Sequence, residues 1–253
     1  MFRLVLTVLL ASASASAGAA PVDPPIPPAE LAALRASLRE QLATLDRAIR
    51  ADPANPGLRS RRGDAHLFLG QFEAAVADFE KMIALDPTQD APHWRLGIAY
   101  HFAGNFARSS AQFEKYHAYD DRDRENGIWK FLGDVKLVGI DRARQTMLPY
   151  ARFDREPFPA LYDLLAGRRS ASEFFADLSA RGLDHDPRVM FFANYYAALD
   201  ADLHGDRPRA LARLRLAVAN TWGRTSENGP AYMWQVARLH YEQLSGTAVE
   251  GSH

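Results

Sequence analysis

The sequence predicts an all-α solenoid of about twelve antiparallel helices wound into a right-handed superhelix. Three observations predict it. Glycine and phenylalanine recur with a period of 34 residues: Gly63 returns as Gly97, Gly70 as Gly104, Phe72 as Phe106 and Phe79 as Phe113. Apolar residues inside each period fall at spacings of three and four, as on one face of a helix. Proline and glycine punctuate the ends of those stretches. Such a period is the length of two helices and a turn, and units of this kind bury their apolar faces only by stacking on neighbours. The count of twelve is one cap, five pairs and one terminal helix.

Composition sets the outer bounds. The 253 residues are 47% hydrophobic and 24% charged, so most of the chain has enough apolar material to fold. The formal net charge of -1 carries no basic excess of the kind that binds nucleic acid. Cysteine is absent, which excludes disulfides, thiolate catalysis, cysteine-ligated zinc and a lipid attachment point.

Element by element, residues 1–20 read as a secretory signal peptide. Arg3 supplies the positive start, 4–10 a short apolar run, and alternating alanine and serine lead to a cleavage site near Ala17 or Ala19. The apolar run is too short to span a bilayer. Residues 21–28 are rich in proline and read as an extended tether. In the segment 29–244, the expected solenoid, Leu31, Leu34, Leu38, Leu42 and Leu45 mark a first helix. It ends before Asp52 and Pro53, because the residue preceding a proline is pushed out of the helical region.

Residues 56–89 and 90–123 are the two clear repeats. In the first, Gly70 and Gln71 make the turn and a helix over 72–85 presents Phe72, Ala75, Phe79 and Ile83. The second repeats the pattern with Gly97, Tyr100, Gly104, Phe106 and Phe113. Residues 124–182 read as degenerate pairs, with helices at about 124–137 and 141–152, a short helix from Pro157 to near Gly167, and one capped by Ser170 and Glu173. A late repeat occupies 187–220 and a capping helix 229–244, its outer face marked by Gln235, Arg238 and Glu242; 245–253 reads as a flexible tail.

Residues 56–89 and 90–123 resemble the tetratricopeptide repeat (TPR) family. Over 55–244 the chain resembles the NlpI-type lipoproteins of bacterial envelopes. The resemblance is carried by 95–100 (RLGIAY), the helix containing Trp129, the weak middle pairs and the late repeat ending in 216–220 (LAVAN). It implies an adaptor that brings peptidoglycan hydrolases to a processing protease or to partner enzymes, and that forms a homodimer. The chain departs from that type in lacking the lipidated cysteine.

The TPR resemblance also implies which side chains face the concave groove. Asp64, Phe68, His101 and Phe102 fall at such positions, as does Trp94. Arg61 and Arg95 sit beside them, and Lys130 on the next first helix extends the set. Tryptophan and arginine often carry interface energy. The plain alternative makes Trp94 a packing residue, since the family's tryptophan lies one position earlier, where this chain has His93. Repeats that clamp a chaperone's C-terminal carboxylate use lysine and asparagine where this chain has Ser60 with Asp64 and Trp94 with Ile98, so no such clamp is assembled. The charge-dense run 119–125 reads as a solvated turn between repeats.

No HExxH, GxSxG, phosphate-cradling loop or clustered histidines occur, so the sequence points to no catalytic residue, metal or cofactor. The expectation is a non-enzymatic scaffold or adaptor, periplasmic or secreted. It would hold a protein or peptide of the cell envelope in its groove, with no nucleic acid partner and no transmembrane segment. The alternative is a structural component of an envelope assembly, bound through the convex face and the prolines at 21–28.

Overall fold

The computed structural model describes residues 24–225 and 230–246. The expected signal peptide and most of the tail lie outside the described residues. Among the described residues there are thirteen α-helices and no strand. No helix among them is long and apolar enough to cross a membrane.

Helix α1 (Pro28–Ala51) stops where Pro53 demands. The tether differs from expectation at Ile26, which is buried in the core. Helix α2 (Pro56–Phe68) starts under Asn55, whose side chain accepts from the Gly57 and Leu58 backbone N–H groups. Gly70 turns the chain with φ of 79° and α3 follows over Phe72–Leu85, the span that the pattern predicts. The second repeat copies this with α4 (Trp94–Phe102), Gly104 at φ 74° and α5 (Phe106–Tyr119).

The period-34 glycines have a steric cause. A Cβ on Gly63 would stand 2.6 Å from the Phe79 ring, and one on Gly97 would stand 2.6 Å from the Phe113 ring. Each glycine lets the second helix of its repeat press an aromatic ring against the backbone of the first. Phe79 and Phe113 are fully buried as a result. Asp78, also buried, is held from α2 by Arg62 at 2.6 Å and Arg59 at 3.1 Å.

The middle departs from the repeat. Helix α6 (Arg124–Val138) is full length, but α7 (Ile140–Gln145) is much shorter than the 141–152 the sequence suggests. Pro149 explains this, since it removes an N–H and disfavours helix at Leu148. Tyr150, in the irregular stretch after α7, supplies the ring that a second helix would have supplied. It lies so close to Gly127 that a Cβ there would meet its hydroxyl at 2.5 Å. Helix α8 (Phe158–Leu165) and α9 (Ala171–Ala180) form the shortened pair, and Ser170 with Glu173 closes a capping box.

The late repeat is α10 (Pro187–Leu203) and α11 (Arg207–Ala219). A five-residue helix, α12 (Thr221–Thr225), is the element that the sequence did not suggest. The last, α13 (Pro230–Ser245), corrects a second expectation. Its supposedly outward residues Arg238 and Glu242 are 1% and 3% exposed. The helix packs on α11 and α12 as the last of the series, and its supposedly outer face also lies against the inner helices of the solenoid. Helix α1 also meets α12 and α13: Glu30 pairs with Arg224, and Arg35 with Glu242 at 3.1 Å.

Candidate protein-binding site

The concave face is lined by the first helices of successive pairs, α2, α4, α6 and α10. Every element that should offer side chains to a partner meets α13 instead. Tyr232 packs edge-on against Phe68 at 4.9 Å and against Trp94 at 4.8 Å. Arg95 lies over the rings of both Trp94 and Tyr232 and bonds Asp64 at 2.8 Å. One turn from the far end, His240 meets Phe102 at 4.6 Å, Trp129 at 6.0 Å and His101 at 6.2 Å, and its Nδ1 lies 2.8 Å from the Tyr195 hydroxyl. Arg238 donates to the Phe68 carbonyl at 2.5 Å and to Glu242 at 2.7 Å.

Six of the eight sequence-derived residues are thus brought together in two groups, Asp64, Phe68, Trp94 and Arg95 around Tyr232, and His101 with Phe102 around His240. Their immediate neighbour is the chain's own α13. The other two stand apart. Arg61 is exposed at the rim between α1, α2 and α13. Lys130 is buried rather than presented to a groove. It is paired with Asp134 at 2.7 Å, and Asp134 also accepts from Ser110 of α5, so Lys130 faces the neighbouring helix.

Burial shapes the ionisation of this inner layer. Desolvation holds His101 near pKa 4 and His240 near 3, so both rings are neutral at physiological pH. Burial raises Asp64 to about 6 against the opposing pull of Arg95. His93 faces the other way, edge-on to Phe79 at 4.8 Å, so it does not join His101 as a ligand pair. No group of acidic and histidine residues suited to a metal occurs among the described residues.

What α13 leaves open is two mouths. One, of about 300 Å³, lies at the C-terminal ends of α4, α6, α10 and α13 and is walled by leucines and aromatic rings, with Lys136 and Asp202 among its lining. The other, of about 350 Å³, lies at the N-terminal ends of the same helices. Trp94 opens α4 there, Glu125 and Trp129 come from α6, Arg188 and Phe192 from α10, Trp222 from α12 and Met233 from α13. The shared ends show that these four helices run in parallel.

The second mouth has a built polar wall. Asp123 caps α6 by accepting from the Glu125 N–H. Arg155, from the irregular stretch, reaches Glu125 at 2.5 Å, Asp154 at 2.9 Å and Asp123 at 3.0 Å. The Tyr196 hydroxyl donates to Glu125 at 2.5 Å and accepts from the Trp129 indole N–H at 3.2 Å. Burial raises Glu125 to about 7; Arg155 opposes the shift and Asp123 and Asp154 add to it. The charged run 119–125 is therefore not wholly a solvated turn: Asp121 and Arg122 are exposed, but Asp123 and Glu125 enter this network and Arg124 is buried. Sequence reasoning also missed Arg155, Trp222, Tyr232 and His240. The one available signal was the density of charge before α6.

Residues 63–104 match the family model described as TPR repeat. No curated protein matches the chain. The fold and that match define an all-α solenoid carrying tetratricopeptide repeats. Scaffolds of this kind serve protein interaction, and they are typically non-enzymatic.

Proposed function

We propose that this chain is an exported, non-enzymatic adaptor of the bacterial cell envelope. It would dock a segment of a peptidoglycan hydrolase or a processing protease at the mouth walled by Trp94, Glu125, Trp129 and Trp222. The observation that carries the reading is the pairing of a TPR scaffold with an open cavity of about 350 Å³ rich in indole rings. The leader-like residues 1–20 support export. The order of elements, which resembles the NlpI type, supports the partner class and a homodimer. An adaptor works by raising effective concentration, since two proteins held on one scaffold meet intramolecularly. Because α13 fills the centre of the groove, docking belongs at its open end rather than along its length.

The test is crosslinking in the periplasm with the full chain, comparing the wild type with a Trp94→Ala, Arg188→Glu variant that melts normally. A wall hydrolase or protease captured by the wild type and lost from the variant is the expected result. Identical partner sets from both proteins would move binding to the convex face and turn the reading towards an assembly component.

A further inference from the structure

We infer that the mouth at the N-terminal ends of α4, α6, α10 and α13 recognises a cationic side chain, lysine or arginine, on an extended segment of the partner. This deepens the adaptor reading and rests on it. Size limits the occupant first. A cavity of about 350 Å³ is near the small end of ligand sites, so it admits a side chain with its flanking backbone rather than a helix or a domain.

Charge then selects the sign. Three carboxylates, Asp123, Glu125 and Asp154, converge on the single guanidinium of Arg155, and the first two of them line the mouth. Glu156 adds a third carboxylate to the lining, against the two cations Arg155 and Arg188. One of its oxygens pairs with Arg181, and the other, Oε2, is buried and accepts no hydrogen bond. Burial already penalises the ionised form of Glu125, and an incoming cation would relieve that cost. Trp94 and Trp222 also line this mouth, and tryptophan is the ring on which a cation binds best; the Trp94 ring already carries the Arg95 guanidinium at 5.4 Å.

Most of the features that favour an anion are already used. Helix N-termini attract negative charge; Asp123 occupies that role on α6 and Asp186 on α10, where it accepts from the Arg188 and Val189 N–H groups, while α4 carries no side-chain cap. The guanidinium of Arg155 is engaged by its three carboxylates. Arg188 remains at the rim, 3.7 Å from Asp186.

The experiment uses the full mature chain and three capped pentapeptides, Gly-Gly-Xaa-Gly-Gly, in which Xaa is arginine, its neutral isostere citrulline, or glutamate. Indole N–H signals in NMR report the site. Trp234, whose N–H is bonded to the Val218 carbonyl in the core, is the internal reference. The arginine peptide is expected to move the Trp94 and Trp222 signals but not that of Trp234, to bind at least about tenfold more tightly than citrulline, and to weaken as salt rises. Glu156→Gln should weaken it about tenfold. That variant leaves the Glu125 network intact, so it stays informative if Glu125→Gln fails to fold. Equal binding of arginine and citrulline, tighter binding of glutamate, or no binding at millimolar peptide would each overturn the inference. The two proposals fail separately. An envelope enzyme captured through this mouth with no preference for arginine sinks the cation alone, and an arginine-selective mouth that captures no envelope protein sinks the adaptor alone.

Discussion

The joints between helices of a repeat and the seat of α13 hold the same solenoid together by opposite means. The central contact of a joint is apolar, local and repeated. Gly63 under Phe79 and Gly97 under Phe113 are two copies of one contact, with the same 2.6 Å approach. The seat is polar, distant in sequence and made once. Arg238 bonds a carbonyl at Phe68, 170 positions earlier, and Glu242 is held by both Arg238 and Arg35. A repeated joint can lose precision in one copy and leave the others standing, as the shortened α7 shows. The seat has no second copy. The difference teaches that the repeats build the wall, whereas α13 decides how much of the groove remains for a partner.

The sharpest way to break this comparison is at a joint. Gly97→Leu drives a branched side chain into the Phe113 ring, where even a Cβ has no room, and the surrounding core is close-packed. Overpacking of this kind should cost about 3 kcal/mol and lower the melting temperature clearly. An unchanged thermal transition would reject the repeat register. At the seat, Arg238→Ala removes one partner of a buried pair, a change that often costs more than 3 kcal/mol. Here Glu242 keeps Arg35 at 3.1 Å, so about 2 kcal/mol is expected from urea unfolding, with the loss concentrated in contacts of α13. Hydrogen exchange should then show α13 opening ahead of α2–α5. Simultaneous opening of all of them would mean that the seat and the joints form one cooperative unit.

The same contrast explains what the sequence made legible. The joints could be read because one contact is written twice at a fixed spacing, and because only glycine permits the approach. The span of α3 and the cap at Ser170 were readable for local reasons of the same sort. The seat could not be read. Arg238 and Glu242, four apart on a helix, look like a solvent-facing pair, and nothing near them in sequence names Phe68 or Arg35. The candidate site was therefore half legible. Trp94 and its neighbours were identifiable from their positions in the repeat, but their contact with Tyr232 was not. Glu125 was hidden for a further reason: its partner Arg155 comes from a stretch where the helical pattern had lapsed.

Proton linkage gives a smaller effect that separates the mouth from the seat. Glu125 has a folded-state value of about 7, raised above its ordinary 4.5. The folded state binds that proton more tightly than the unfolded chain does, so the stabilisation is complete below about 4.5 and is lost as pH rises through 7. The groups facing Glu125 are Asp123 on α6, Asp154 and Arg155 on the irregular stretch, and Tyr196 on α10. His101 and His240 act with the reverse sign. Their lowered values withdraw stability as pH falls through 6.5 toward 4. Between pH 5 and 8, the wild type should lose about 1–2 kcal/mol relative to Glu125→Gln. Parallel profiles would show that Glu125 ionises as it does in water.

The smallest effect compares two adjacent arginines. Arg62 is bound to Asp78 and to Asp46 at 2.7 Å, and it helps to satisfy a carboxylate that is 3% exposed. Arg61 is exposed and makes no ion pair among the described residues. Arg61→Ala should change stability by less than about 0.5 kcal/mol, whereas Arg62→Ala should cost about 1–2 kcal/mol, because Asp78 then keeps Arg59 and the more distant His66 ring at 3.7 Å. The pair separates rim from joint within one helix turn. Should Arg61→Ala prove as costly as Arg62→Ala, the rim would be part of the packed structure, and the surface free for a partner would shrink to the two mouths alone.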